Sequence, residues 1–185
     1  MKCKLITIAF SILFFNPVTL LDVYADGLKD ESWISILEKP SKLIGSGNLS
    51  FFGISLYKAS LFSTSNFDHK NPFKTNFALE IQYFKSFRSN KIANTSRKEM
   101  HKLNAYNEND LNLWHKWMLA KFPDISKNDV LVGVFSPTFG IKIFHNNNLI
   151  AANNDIEFAK AFFSIWLNKD TSEPALRKKL LGINS

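Results

Sequence analysis

Four histidines, a single cysteine and a thin scatter of cations set the chemistry this chain can offer. His69, His101, His115 and His145 contain no i, i+4 pair with an acid between, the spacing by which one helix face grips zinc. His115 lies beside Trp114 and reads as a boundary residue of an amphipathic helix. Gly45-Ser46-Gly47 is too short to cradle a phosphate and lacks the lysine and helix that such a loop leads into. No Gly-x-Ser-x-Gly elbow is present. Glu80 occupies a polar position of an alternating segment, with solvent as its expected partner. One corner offers electrostatics: Lys85 and Arg88 stand just before a helix start, where unpaired N–H groups favour an anion such as a carboxylate. Two solvated cations at a strand end are the plainer reading of that pair. Nothing in the pattern asks for a metal or a cofactor.

The first residues read as a targeting segment. Lys2 and Lys4 precede an apolar run from Leu5 to Phe15, and Val23-Tyr24-Ala25 forms a small-residue cleavage site before Asp26. The run falls short of the roughly 20 apolar residues that span a bilayer. Residues 1–25 are therefore expected to be a signal peptide, and residues 26–185 one domain of the periplasm or the secreted fraction. Cleavage after Ala25 would remove Cys3 and with it all thiol and disulfide chemistry. No membrane-spanning segment is expected to remain.

The formal net charge is +7. Removing Lys2, Lys4 and Asp22 with the leader keeps the chain basic. The cations are nevertheless dispersed, with Arg177-Lys178-Lys179 the longest run, and they do not alternate with aromatics along a groove. Nucleic acid is therefore not an expected partner. Attraction to anionic headgroups or acidic ligands is.

The elements that must position these residues follow from periodicity. Leu49 to Phe62 is rich in β-prone residues around Gly53 and predicts two strands or one bulged strand. Phe77, Leu79, Ile81 and Tyr83 alternate with Ala78, Glu80, Gln82 and Phe84, a half-buried strand. Ser86 or Ser89 is placed to cap a helix running to about Leu103, with Ile92, Met100 and Leu103 inward. Asp110 precedes a helix whose stripe is Leu111, Trp114 and Met118, with Leu113 and Trp117 beside it. Strands are expected over Val130 to Phe135, Ile141 to Phe144 and Leu149 to Ala151, the last two joined by an asparagine turn. Phe158, Ala161, Phe162, Ile165 and Trp166 give a buried helix. Ser172-Glu173-Pro174 opens a short one, which Gly182 ends. The order predicts an α+β fold, helices over one face of an antiparallel sheet. The 18 phenylalanines fit core packing, with an apolar cavity as a second use.

With these segments in place, the chain resembles the chalcone isomerase-like family, particularly its exported bacterial members. The resemblance is carried by LIGSGNLSFFGISLYKASLF, FALEIQYFKSF, KIANTSRKEM, FPDISKNDVLVGVF and FAKAFFSIWLNKDTSEPALRKKLLG, in this order between Leu43 and Gly182. It implies an open-faced β-sandwich, a large antiparallel sheet covered by a helical layer, with a ligand cleft between them. Plant enzymes of the family hold substrate with an arginine on the first core strand, and fatty-acid-binding relatives grip a carboxylate with it. This chain has no arginine before Arg88. By resemblance, the family's tyrosine position falls near Arg88, its threonine near Tyr57, and its other polar cleft positions near Thr95 and Ser164.

The expectation is a non-catalytic exported protein that binds a small amphipathic or fatty-acid-like acid. Tyr57, Lys85, Arg88, Thr95 and Ser164 are its candidate ligand-binding residues, and no residue is assigned a catalytic role. The alternative is an intramolecular lyase, an isomerase of chalcone isomerase type, with Arg88 as its cation.

Overall fold

Six antiparallel strands run in simple sequential order, each paired with the next. The computed structural model describes residues 33–37 and 41–183, so the expected leader lies outside the described residues. Strands β1 (Ser41–Phe51) and β2 (Ile54–Thr64) form the long hairpin that the aromatic-rich segment implied, with β1 starting earlier than expected. Its two turn residues, Phe52 and Gly53, have φ of 48° and 78°. Two positive φ values in a two-residue loop match the right-handed strand twist. β3 (Phe77–Tyr83), β4 (Val130–Ser136), β5 (Gly140–His145) and β6 (Asn148–Asn153) complete the sheet. Asn146 and Asn147 make the β5–β6 turn with φ of 49° and 69°, the role asparagine was expected to fill.

A short helix α1 (Trp33–Ile36) precedes the sheet. The helical layer is α2 (Ser89–Lys102), α3 (Glu108–Lys121), α4 (Ile156–Leu167) and α5 (Pro174–Leu180). In α3 the stripe Leu111, Trp114 and Met118 is buried as its spacing predicts, while Leu113 faces solvent. That helix begins two residues before Asp110, because Asn107 Oδ1 accepts the Asp110 N–H at 3.0 Å and acts as the cap. Asp155 caps α4 by accepting the N–H groups of Glu157 and Phe158 at 2.9 and 3.0 Å. Its other oxygen accepts the Trp114 indole N–H at 2.8 Å, so one carboxylate both caps α4 and holds α3 against it.

Two expected serine caps are replaced by longer-range partners. At α2 neither Ser86 nor Ser89 caps. The Ser89 N–H goes to Asp124 Oδ1 at 2.8 Å, and Ser86 Oγ accepts the Lys127 N–H. At α5 the Ser172 hydroxyl donates to Glu99 instead, and Thr171 Oγ1 takes the Glu173 N–H at 3.2 Å. In both places a carboxylate from another segment competes for the local donor, which sequence spacing does not reveal. The far end of α5 is as expected: Gly182 has φ of 62°, and the Gly182 and Ile183 N–H groups bond the Lys179 and Lys178 carbonyls.

The main core lies between sheet and helices. Phe77 and Phe135 stack at 5.0 Å, and Phe163 of α4 meets Phe77 edge-on at 4.9 Å. α5 lies so close across β1 that a Cβ on Gly45 would overlap the Lys179 carbonyl oxygen, and one on Gly47 would sit 2.9 Å from Leu176 Cδ1. The opposite face of the sheet, expected to be open, carries a smaller apolar cluster. Trp33 and Leu37 cover Ala78, Val132, Val134 and Phe144 there. This cover corrects the expectation for Glu80. Its strand neighbour Val132 belongs to that cluster, and partial burial raises the Glu80 carboxyl above its ordinary range despite Lys58 nearby.

Candidate functional site

A cleft of about 450 Å³ separates the sheet from the helical layer. Leu49, Tyr57, Ile81, Tyr83 and Leu131 supply its floor from β1 to β4. α4 turns Phe162, Ile165 and Trp166 toward it, and α2 supplies Ile92, Thr95 and Ser96. Phe51 and Phe87 also line it. The volume falls within the range of small-molecule sites, about 300–1,000 Å³. The phenylalanines therefore divide: Phe77, Phe135, Phe144, Phe158 and Phe163 are fully buried packing, while Phe51, Phe87 and Phe162 line the cleft.

Two tyrosines give this apolar space polar points. Trp166 donates its indole N–H to the Tyr57 hydroxyl at 3.0 Å, which leaves the tyrosine's own proton available to a group in the cleft. The Tyr83 ring meets Tyr57 edge-on at 5.8 Å. Burial pushes the Tyr57 hydroxyl up to about 12, with the Trp166 bond opposing and the carboxylates of Glu173 and Glu99 adding to the rise. Burial also raises Tyr83. Both are neutral hydrogen-bonding groups at ordinary pH.

The polar wall is a single stripe of α2: Lys91, Thr95, Glu99 and Lys102, at i, i+4, i+8 and i+11. Lys102 Nζ donates to Glu99 Oε1 at 2.7 Å and to Ser172 Oγ at 3.1 Å, and Ser172 donates to Glu99 Oε2 at 2.6 Å. Burial works to raise the Glu99 carboxyl, but the Lys102 and Ser172 hydrogen bonds outweigh it and hold it below its ordinary value. This triangle ties α2 to the segment entering α5. Lys91 has no ion-pair or hydrogen-bond partner for its ammonium among the described residues, so it is a cation at the cleft without a counter-ion.

The five residues singled out from sequence separate. Tyr57 and Thr95 line the cleft. Lys85 is exposed and does not line it. Arg88 also lies outside: its Nη1 donates to Asp124 Oδ2 at 2.7 Å. The corner expected to take an anion thus takes a carboxylate, and it is the chain's own. The Ser89 N–H and then the Arg88 guanidinium hold Asp124 below its ordinary value. Ser164 is buried near Tyr106 and does not line the cleft. At about 100° per residue it points away from Phe162 and Trp166. Lys91, Glu99 and Lys102 were not singled out from sequence, although their helical spacing marked them as one stripe.

A second depression, about 760 Å³, lies along α5 and β1 by Ser46, Pro174, Lys178 and Lys179. It is open to solvent and lacks an enclosing apolar wall. Among the described residues no group of three His, Cys, Asp or Glu side chains is placed to hold a metal. No helix there is long and apolar enough to cross a membrane.

Known proteins share this architecture. The profile of a family described as chalcone isomerase-like matches residues 23–182. An uncharacterized protein of Haemophilus influenzae is 30% identical over 139 residues, covering 75% of this chain and 67% of its own. The crystal structure of an Arabidopsis thaliana fatty-acid binding protein superposes with a TM-score of 0.57 at 11% identity, covering 78% of this chain and 88% of that one. At that identity the likeness concerns the fold. With an antiparallel sheet, a helical layer and a cleft between them, and a profile match over most of its length, this chain belongs to the chalcone isomerase-like family.

Proposed function

We propose that the protein is an exported, non-catalytic binding protein that holds a small amphipathic acid of fatty-acid type in the sheet–helix cleft. The observation that carries this reading is a cleft with an apolar floor whose wall carries an ammonium, Lys91, that has no partner among the described residues. In this reading the ligand's hydrocarbon lies among Ile81, Leu131, Phe162 and Ile165, and its carboxylate pairs with Lys91. The Tyr57 hydroxyl and Thr95 offer further hydrogen bonds. Such a site binds through burial of CH₂ groups, at about 0.8 kcal/mol each, and uses the cation for orientation. The family and the fold shared with a fatty-acid binding protein support it.

Native mass spectrometry of protein purified from its own host tests the reading. A bound species with the mass of a small acid is expected. An empty cleft together with no uptake of added fatty acid would count against it. Export rests on the leader pattern, and N-terminal sequencing of the extracytoplasmic form should find Asp26 first. The lyase alternative needs a cation where charge develops, and Arg88 is engaged by Asp124 outside the cleft.

A further inference from the structure

The tip of the β1–β2 hairpin combines two costly features. Phe52 occupies a position with φ of 48°, where a bulky side chain is strained, and its ring is 88% exposed. The same fold makes an equivalent turn between β5 and β6 with asparagines, the residues that conformation favours. A turn needing only closure had that solution available. Phe51 and Ile54 beside it are also exposed, at 64% and 54%. A Cβ on Gly53 would meet nothing within 4 Å among the described residues, so the turn itself faces open space. Phe51 packs edge-on against Phe52 at 4.5 Å and also lines the cleft, so the apolar tip continues into the cleft mouth.

The surroundings are cationic. β2 starts, β3 ends and β4 starts at this same end of the sheet, with the Phe84 N–H bonded to the Leu56 carbonyl. Lys85, Arg88 and Lys91 follow β3 there, and Lys127 precedes β4, its N–H on Ser86; all four side chains are exposed. Of the nearby acids, Asp124 and Asp129 are held in internal hydrogen bonds, Glu99 is paired with Lys102, and Glu173 lines the cleft. An exposed apolar tip at the same end of the sheet as these cations matches an anionic lipid surface, with hydrocarbon below and phosphates above.

We propose that this end of the protein docks on anionic bilayers, with Phe51, Phe52 and Ile54 inserted at the headgroup boundary and the cleft mouth facing the lipid. Lys85 and Lys127 pair with lipid phosphates. The docking goes beyond the binding reading: it places the cleft where an amphipathic ligand would enter or leave.

Vesicle flotation of the purified protein reads this directly. Phosphatidylethanolamine–phosphatidylglycerol vesicles are expected to carry the protein, and phosphatidylcholine vesicles to bind it on the order of a hundredfold more weakly. Phe52→Asn suits the turn, so it should fold at least as well while losing about tenfold in vesicle affinity. Lys85→Glu with Lys127→Glu should abolish the preference for anionic lipid. Absence of native binding, or equal binding by Phe52→Asn, overturns the proposal. Concentration-dependent dimerisation that Phe52→Asn removes, without vesicle binding, also overturns it and assigns the tip to a second copy of the chain. Uptake of fatty acid from solution by a protein that ignores vesicles would sink the docking alone and leave the cleft reading standing.

Discussion

Trp166 on α4 donates its indole N–H to the Tyr57 hydroxyl on β2 at 3.0 Å, joining helical layer and sheet inside the cleft across 109 residues of chain. Tyr57→Phe keeps the ring and removes only the acceptor, leaving a partly buried N–H unpaired. The expected loss is about 1–3 kcal/mol, measured as a shift of denaturant midpoint at constant slope. Because Tyr57 holds its proton up to about 12, ligand affinity should show no step from this group between neutral pH and pH values well below that.

Asp124 fills the corner that sequence marks as an anion site, bonding Arg88 and the Ser89 N–H at the start of α2. Asp124→Ala should lower the melting temperature slightly and open that corner to solution anions. Added sulfate should then raise the variant's melting temperature more than the native protein's. Equal responses would mean that Arg88 and the helix start do not form an anion-binding pair.

Acid sensitivity should centre on Asp129. Hydrogen bonds from Asn146 and the Ser126 N–H, with His145 at 2.9 Å, bring its carboxyl from 3.8 down to about 2. A folded value below the unfolded one means the stabilisation is present above about pH 4 and is lost as pH falls toward about 2. The stability difference between native protein and Asp129→Asn should shrink through that window. A difference that stays constant there would disprove the linkage.

Gly45→Ala forces a Cβ into the Lys179 carbonyl. Backbone cannot rotate away as a side chain can, so α5 must lift from β1, at a cost of about 1–3 kcal/mol or more. Hydrogen exchange of the α5 amides should accelerate selectively. Uniform protection across the helix would show that the approach is less tight than the geometry indicates.

Most of the scaffold was legible because it rests on local periodicity. The Leu111, Trp114 and Met118 stripe, the alternation from Phe77 to Tyr83 and the asparagine turn each depend on neighbours within a few residues. What escaped depends on partners far away in sequence. Asp124 reaches Ser89 over 35 residues, and Ser172 reaches Glu99 over 73, so both serines lost the capping role that spacing gave them. Glu80 is shielded by a cluster that includes Trp33, which no strand pattern encodes. In the candidate site, Tyr57 and Thr95 line the cleft, whereas the local cation pair Lys85 and Arg88 lies outside it. The cations that do line it, Lys91 and Lys102, are spread over three helical turns and become a group only when α2 is laid against the sheet.

Calorimetric titration of delipidated protein with a long-chain fatty acid and with the matching alcohol, repeated for Lys91→Gln, reads whether the Lys91 ammonium holds an acid in the cleft. The native protein should bind the acid more tightly than the alcohol. Lys91→Gln should lose about tenfold for the acid and leave the alcohol unchanged. No binding of either ligand, or equal binding of the acid by native and variant protein, would contradict it.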